Sequence, residues 1–171
     1  RNQLLAAVLA LRFGAGAGLW LGVAAATALM AGIAAGLALF LIPMMTPAPS
    51  LLFNALALGA AGAGMLGQGL IGRMAKLDTL KNWTTGPFNT GFLGLFIRQF
   101  TDKGQFVILA ATVRTEAPVL TALGGFAGAM LPLALALLFQ DRLGRMMPLN
   151  RIRQGGGAVL LLVAAGMAVS A

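Results

Sequence analysis

The chain has 171 residues, of which 59% are hydrophobic and only 9% charged, and its formal net charge at pH 7 is +8. Soluble domains have roughly a quarter charged residues, so these few polar groups cannot cover a water-exposed surface, and we predict an integral membrane protein. The chain contains no Cys and no His, which excludes disulfides, thiolate metal sites and imidazole proton relays. The basic residues lie between apolar runs and not in a patch interleaved with aromatic residues, which argues against nucleic-acid binding.

Apolar runs follow one another along the whole chain. A bilayer core about 30 Å thick requires roughly 20 apolar residues of helix. The runs cover residues 2–12, 17–42, 51–72, 87–113, 118–140 and 155–171. The first run is short, and we interpret it as the remainder of a helix that is truncated at the start of the sequence. The predicted fold is therefore an all-α membrane protein with six transmembrane helices.

An internal repeat becomes visible when the chain is shifted by 102 residues. Residues 1–69 then align with 103–171 without a gap, and 15 of the 69 pairs are identical, Gln3 with Gln105 and Arg12 with Arg114 among them. Residues 102 apart are called repeat equivalents below. Because each repeat contains three helices, an odd number, the second repeat is predicted to be inverted in the membrane. We divide the chain into a first repeat at 1–72, a linker at 73–86 and a second repeat at 87–171.

The charged residues predict an orientation in the membrane. Cytoplasmic loops carry an excess of Lys and Arg. With alternating helices, eight basic residues fall on one side, and only Arg114, beside Glu116, falls in a loop on the other. The loops at 73–87 and 140–154 are thus predicted to be cytoplasmic and the C-terminus external. The eight residues are Arg12, Arg73, Lys76, Lys81, Arg142, Arg145, Arg151 and Arg153.

A polar cluster interrupts the fourth apolar run, where charged groups are costly and usually functional. If residues 87–113 form one helix, Asp102 lies close to its middle. The cluster allows two interpretations. Arg98 and Asp102 could neutralise each other at a spacing of four and join helices, or Asp102 could form a cation or proton site at the repeat interface. Four of its residues, Arg98, Gln99, Asp102 and Gln105, share a helical face, and Thr101 and Lys103 flank them.

The segment QFTDKG at 99–104 resembles the motif Glu-x-Gly-Asp-(Lys/Arg)-(Thr/Ser). GDT-type cation/proton antiporters of the lysine-exporter superfamily carry this motif twice, once in each inverted three-helix repeat. The segments QLLAAVLALRFGAGAGLWLG (3–22) and QFVILAATVRTEAPVLTALGG (105–125) also resemble the sequences that follow the two motifs. Asp102 and Lys103 match the motif, whereas Gln99 replaces its Glu and Thr101 its Gly. In the first copy only Arg1 and Asn2 would remain.

The resemblance implies a secondary transporter that moves a divalent cation, manganese first and calcium second, in exchange for protons. It implies that Asp102 binds the ion and titrates, that Gln99 and Thr101 offer oxygen ligands, and that Lys103 holds carboxylates or senses occupancy. No resident cofactor is expected. The partners would be the lipid bilayer and the transported cation, and the location a bacterial inner membrane. Weaker candidates along the ion path are Asn2, Gln3, Arg98 and Gln105.

Two alternatives remain open at the level of sequence. The chain could export another small solute, such as an amino acid, as other members of the superfamily do. It could also be a relative that transports nothing and uses the polar cluster for structure. An enzyme is not expected, because the sequence shows no catalytic triad and no paired catalytic carboxylates. Both a monomer and a homo-oligomer are compatible with the sequence.

Overall fold

The computed structural model describes residues 2–67, 85–100, 102–139 and 149–170, and every regular element in these ranges is helical. Three segments, 17–44, 47–66 and 118–139, are long and apolar enough to cross a membrane. The predicted all-α membrane fold is thus confirmed. A 3₁₀ turn, Ile42–Met44, follows α2. The helices are α1 (Asn2–Phe13), α2 (Ala17–Leu41), α3 (Pro47–Leu66), α4 (Pro87–Phe100), α5 (Lys103–Thr115), α6 (Pro118–Phe139) and α7 (Leu149–Val169).

Two predicted helix boundaries were wrong. Helix α3 begins at Pro47 and not at residue 51, because proline is well accommodated at the first helical position, where its missing N–H has no partner to lose. Helix α7 begins at Leu149 and not at residue 155, so the predicted loop at 140–154 ends in helix. Its first turns are polar and still helical. Of the predicted linker at 73–86, only residues 85 and 86 belong to the described ranges.

The fourth predicted helix is divided. The run 87–113 contains two helices, α4, which ends at Phe100, and α5, which begins at Lys103, and the extended residue Asp102 stands between them. The idea that Arg98, Gln99, Asp102 and Gln105 share one face of a continuous helix is therefore wrong. Asp102 has an extended backbone (φ −85°, ψ 135°) and stands directly before α5. Asp is a favoured residue at such a position, because it disfavours the helix interior and stabilises helix starts.

The helix boundaries agree with the offset found in the sequence. Helices α5, α6 and α7 begin 101, 101 and 102 residues after α1, α2 and α3. Helix α4 has no repeat equivalent within residues 1–171. The inversion of one repeat relative to the other stays a prediction.

The helices form two compact units. Of the described residues, the first contains 2–30, 85–100 and 126–139. In it, α4 packs against α1 and the first part of α2, and glycines allow the approach. A Cβ at Gly91 would lie 2.9 Å from Leu19 Cδ1, and one at Gly22 would overlap the Phe88 carbonyl. Small residues of this kind allow helix backbones to approach closely inside a membrane.

Of the described residues, the second unit contains 31–67, 102–125 and 149–170. In it, α3 packs against both α5 and α7. The α3–α7 crossing is close, because a Cβ at Gly62 would lie 2.8 Å from the Gly157 carbonyl oxygen and one at Gly157 would lie 3.1 Å from that of Gly62. Large apolar side chains are exposed on several helices, for example Phe40 at 73% and Leu162 at 73%. A bilayer solvates such surfaces, whereas in water they would promote aggregation.

Candidate functional site

The break between α4 and α5 places a carboxylate at a helix N-terminus. Asp102 is half-buried, and its backbone oxygen accepts a hydrogen bond from the Gln105 N–H at 3.2 Å. Its side chain does not cap the helix. The N-terminus of a helix carries a partial positive charge, which stabilises a nearby carboxylate. Broken helices with ion-binding groups at the break are typical of secondary transporters.

Gln99 is the most deeply buried of the predicted site residues that the structure describes. Its side chain is 2% exposed and lies on the face of α4 that packs into the first unit. The Nε2 group donates a hydrogen bond to Thr27 Oγ1 on α2 at 3.0 Å. The Thr27 hydroxyl in turn donates to the Val23 carbonyl oxygen at 2.8 Å, one helical turn earlier.

The other end of the Gln99 amide has no partner. Gln99 Oε1 is buried and accepts no hydrogen bond from the part of the chain that the structure describes. A buried acceptor without a partner is destabilising by roughly 1–3 kcal/mol, and such atoms in native structures frequently mark an ion or water site. An amide oxygen is also a ligand that hard divalent cations accept.

Lys103 is held against α3 in the second unit. Its Nζ donates a hydrogen bond to the Ala60 carbonyl oxygen at 3.2 Å. Gly64 on α3 leaves room for this side chain, because a Cβ at Gly64 would lie 2.7 Å from Lys103 Nζ and the lysine would have to shift. Lys103 also lines a cleft of about 360 Å³ whose other walls are apolar, with Phe53, Leu56, Ala57, Ala60 and Phe106. In such surroundings a backbone carbonyl is the available acceptor for the ammonium group.

The remaining predicted residues occupy both units. Asn2 and Gln3 are half-buried in the first turn of α1, and Arg98 is half-buried on α4. Gln105 belongs to α5, and its Oε1 is a buried acceptor to which no described residue donates. Thr101 lies outside the described residues. The structure brings Gln99 to Thr27 and Lys103 to Ala60, and a single site made of all the predicted residues stays a prediction.

Few acids are available for a charged site. The described residues contain two acids, Asp102 and Glu116, and hold no cluster of three or more His, Cys, Asp or Glu side chains. Glu116 is exposed, ends α5 in the left-handed conformation (φ 53°) and donates its N–H to the Thr112 carbonyl oxygen at 2.8 Å. Asp102 is therefore the one described acid inside the motif-like segment.

Two buried polar residues were not among the site residues predicted from the sequence. Thr27 is 1% exposed and is the direct partner of Gln99. Asn54 on α3 has a buried Oδ1 that accepts no hydrogen bond from the described residues. Each is a polar residue inside an apolar run, and this is the same signal that identified Asp102. Thr27 gave the weaker signal, because a threonine in a membrane helix can satisfy its hydroxyl on the preceding turn and needs no other partner.

The second part of the chain resembles a known protein family. Residues 87–171 match the family model of the divalent cation/proton antiporter GDT1. This range begins at the first residue of α4 and includes the break at Asp102. No curated protein matches the chain, and no solved structure does.

Proposed function

Because the chain belongs to the family of the divalent cation/proton antiporter GDT1, we propose that it carries a divalent cation across a membrane in exchange for protons. Manganese is the first candidate for the cation and calcium the second. The observation that carries the proposal is the buried Gln99 Oε1, which no described residue satisfies, three residues before the carboxylate of Asp102. Oxygen ligands of this type suit manganese and calcium, which prefer carboxylate and carbonyl groups.

The residues take different roles in this proposal. Asp102 binds the cation and exchanges it for a proton, because it is the titratable acid of the motif-like segment. Gln99 and Thr101 supply neutral oxygens, and Lys103 fixes the start of α5 on α3 through the Ala60 carbonyl. Gln105, Gln3, Asn2 and Arg98 support the path of the ion. Movement of one repeat against the other would open the site alternately to each side.

Flux measurements on the purified chain in liposomes test the proposal. Manganese entry should drive proton exit, reported by a manganese-sensitive dye and a pH dye inside the vesicles, and excess calcium should compete. Asp102→Asn should abolish both signals while the protein stays folded. Glu116→Gln is the matched control, since it removes the other described acid from an exposed helix end, and it should retain both signals.

The same experiment separates the alternatives. If the wild-type chain moves neither manganese nor calcium but exports an amino acid, its substrate is another small solute, as for other members of the superfamily. A wild-type chain that moves none of these, with Asp102→Asn losing thermal stability, would identify the polar cluster as structural. Both results would overturn the proposed antiport.

The proposed location is a bacterial inner membrane, with the segments 73–87 and 140–154 in the cytoplasm and the C-terminus outside. The excess of Lys and Arg in these segments supports this orientation. The lipid bilayer and the transported cation are the proposed partners, and a homo-oligomer is compatible with the exposed apolar helix faces.

A further inference from the structure

We propose that Thr27 is a positioning residue for the transported cation, because its hydrogen bond turns the Gln99 amide so that Oε1, and not Nε2, is presented as a ligand. This inference rests on the proposed function. Thr27 lies on α2, 72 residues from Gln99 in sequence and outside the motif-like segment. Its role is therefore indirect, through the orientation of another side chain.

The hydrogen-bond directions carry the inference. A hydroxyl group has one proton to donate and lone pairs to accept with. The Thr27 proton is donated to the Val23 carbonyl oxygen at 2.8 Å. The oxygen of Thr27 therefore offers lone pairs to α4, and it receives the Gln99 Nε2–H at 3.0 Å. The chain of two bonds runs in one direction, from the amide through the hydroxyl to the backbone.

The reversed amide would form fewer bonds. With Oε1 turned to Thr27, the hydroxyl would have to donate to Oε1 and give up Val23. One bond would then replace two, and both N–H groups of a side chain that is 2% exposed would need other acceptors. Leaving buried donors without acceptors is destabilising. The observed orientation is thus the favoured one, and it leaves Oε1 as the atom without a donor among the described residues.

The orientation matters because Gln99 carries one ligand atom and one atom that repels cations. Nε2 is a donor and cannot bind a metal ion, whereas Oε1 can. The motif that the segment 99–104 resembles has Glu at this position, and a carboxylate presents an oxygen whichever way it turns. The replacement by Gln therefore creates a need for orientation, which the hydroxyl of Thr27 meets. Outer partners that orient a ligand typically change metal affinity about 10–100-fold when they are lost.

The experiment compares KM for manganese in liposomes containing the full chain. Thr27→Val keeps the shape of the side chain and removes the hydroxyl, and it should raise KM about 10-fold with a nearly unchanged maximal rate. Thr27→Ser keeps the hydroxyl and should behave like the wild type. Thr112→Val is the matched control, because Thr112 is also fully buried and also donates to a carbonyl one turn earlier, that of Ile108. It should leave KM unchanged.

Measurements in the Gln99→Glu variant distinguish an effect of Thr27 on the orientation of the Gln99 amide from an effect of Thr27 on helix packing. In Gln99→Glu, the additional Thr27→Val should change KM less than about 3-fold, since either carboxylate oxygen can face the ion. Three results would overturn the inference and leave the proposed function standing. The first is an equal KM for Thr27→Val and the wild type, and the second is a KM for Thr27→Ser that is raised like that of Thr27→Val. The third is an equal rise in KM on Thr27→Val whether residue 99 is Gln or Glu. If Gln99→Glu does not fold, the KM values of Thr27→Ser, Thr27→Val and Thr112→Val decide whether the inference holds. A wild type without divalent cation flux would overturn the proposed function and the inference with it.

Discussion

Helices α2 and α6 are repeat equivalents, yet they have different surroundings. In an apolar stretch of 18 residues within the segment 17–44, which contains α2, 39% of the residues are buried. In the corresponding stretch of α6, 17% of the residues are buried. Gly22 of α2 receives the backbone of α4 at Phe88, but a Cβ at its equivalent, Gly124, would meet no described atom within 4 Å. The same small residue thus allows close helix packing in α2, whereas in α6 no described atom packs against it. Similar sequence in the two repeats does not produce similar packing.

The difference extends to the candidate site. Thr27 of α2 binds the amide of Gln99, whereas the repeat equivalent of Thr27 is Ala129, which has no hydroxyl. Helix α4, which carries Gln99, also has no equivalent within residues 1–171. The polar contact is therefore specific to one of the two helices, although their residues are repeat equivalents.

The largest effect is expected from the predicted inversion itself. Arg12 and Arg114 are repeat equivalents, both exposed at the ends of α1 and α5. If the repeats are inverted, Arg114→Cys should react with a membrane-impermeant maleimide in intact cells, and Arg12→Cys only after the membrane is permeabilised. The parent chain contains no Cys and gives a blank background. Labelling of both variants from the same side would contradict the inversion.

A large and opposite pair of effects is expected from Gly22→Ala and Gly124→Ala. The methyl group at position 22 overlaps a backbone carbonyl, which cannot rotate away, so the free energy of unfolding should fall by about 1–3 kcal/mol. The methyl group at position 124 would meet no described atom within 4 Å, and the higher helix propensity of alanine should stabilise the protein by up to about 1 kcal/mol. Thermal unfolding in detergent measures both. Equal shifts of the same sign would show that the two helix faces are equivalent after all.

Much of the fold could be predicted because long apolar runs define membrane helices. The ends of α2 and α6 differ by only one residue from the predicted runs 17–42 and 118–140. The division at Asp102 was not predicted, because the apolar pattern continues across it and the break depends on local backbone preferences. The early start of α7 was missed for the opposite reason. Its first turns contain Arg151 and other polar residues, so hydropathy indicates a loop although the backbone remains helical.

The candidate site could be predicted only in part. Asp102 and Gln99 stand out because polar groups are rare in an apolar run, and sequence is sufficient to find them. The partner of Gln99 could not be predicted, because the contact with Thr27 depends on how α4 packs against α2. The separate contact of Lys103 with Ala60 has the same origin, since a backbone carbonyl leaves no signal in the sequence. Sequence identified the polar atoms, and only the packing shows which of them are satisfied.

A smaller effect is expected where the two repeats exchange large and small residues. A Cβ at Gly125 would overlap the side chain of Ile108, whereas the repeat equivalents of these two residues are Val23 and Ala6, both fully buried. Gly125→Val should lower the free energy of unfolding by about 1–2 kcal/mol, less than a backbone clash, because the end of Ile108 can rotate. Adding Ile108→Ala should recover most of the loss, to within about 1 kcal/mol of wild type. A double variant no better than Gly125→Val would show that α5 and α6 cannot adopt the size pattern of α1 and α2.

The smallest effect is expected at the hydroxyl pair of the second repeat. Thr112 and Thr121 hydrogen-bond through their hydroxyls at 2.6 Å, and their repeat equivalents are the buried, apolar Ala10 and Leu19. Thr112→Ala alone should lower the free energy of unfolding by about 1 kcal/mol, because the Thr121 hydroxyl can donate its proton to the Ala117 carbonyl once Thr112 is gone, and so it is not left without a partner. The double variant Thr112→Ala with Thr121→Leu should lie within about 0.5 kcal/mol of wild type, since replacing both partners by apolar groups is nearly neutral. If the double variant instead loses as much free energy of unfolding as the two single variants together, the hydroxyl pair is required where the first repeat uses apolar contact. The two repeats would then differ in the chemistry of their packing as well as in its geometry.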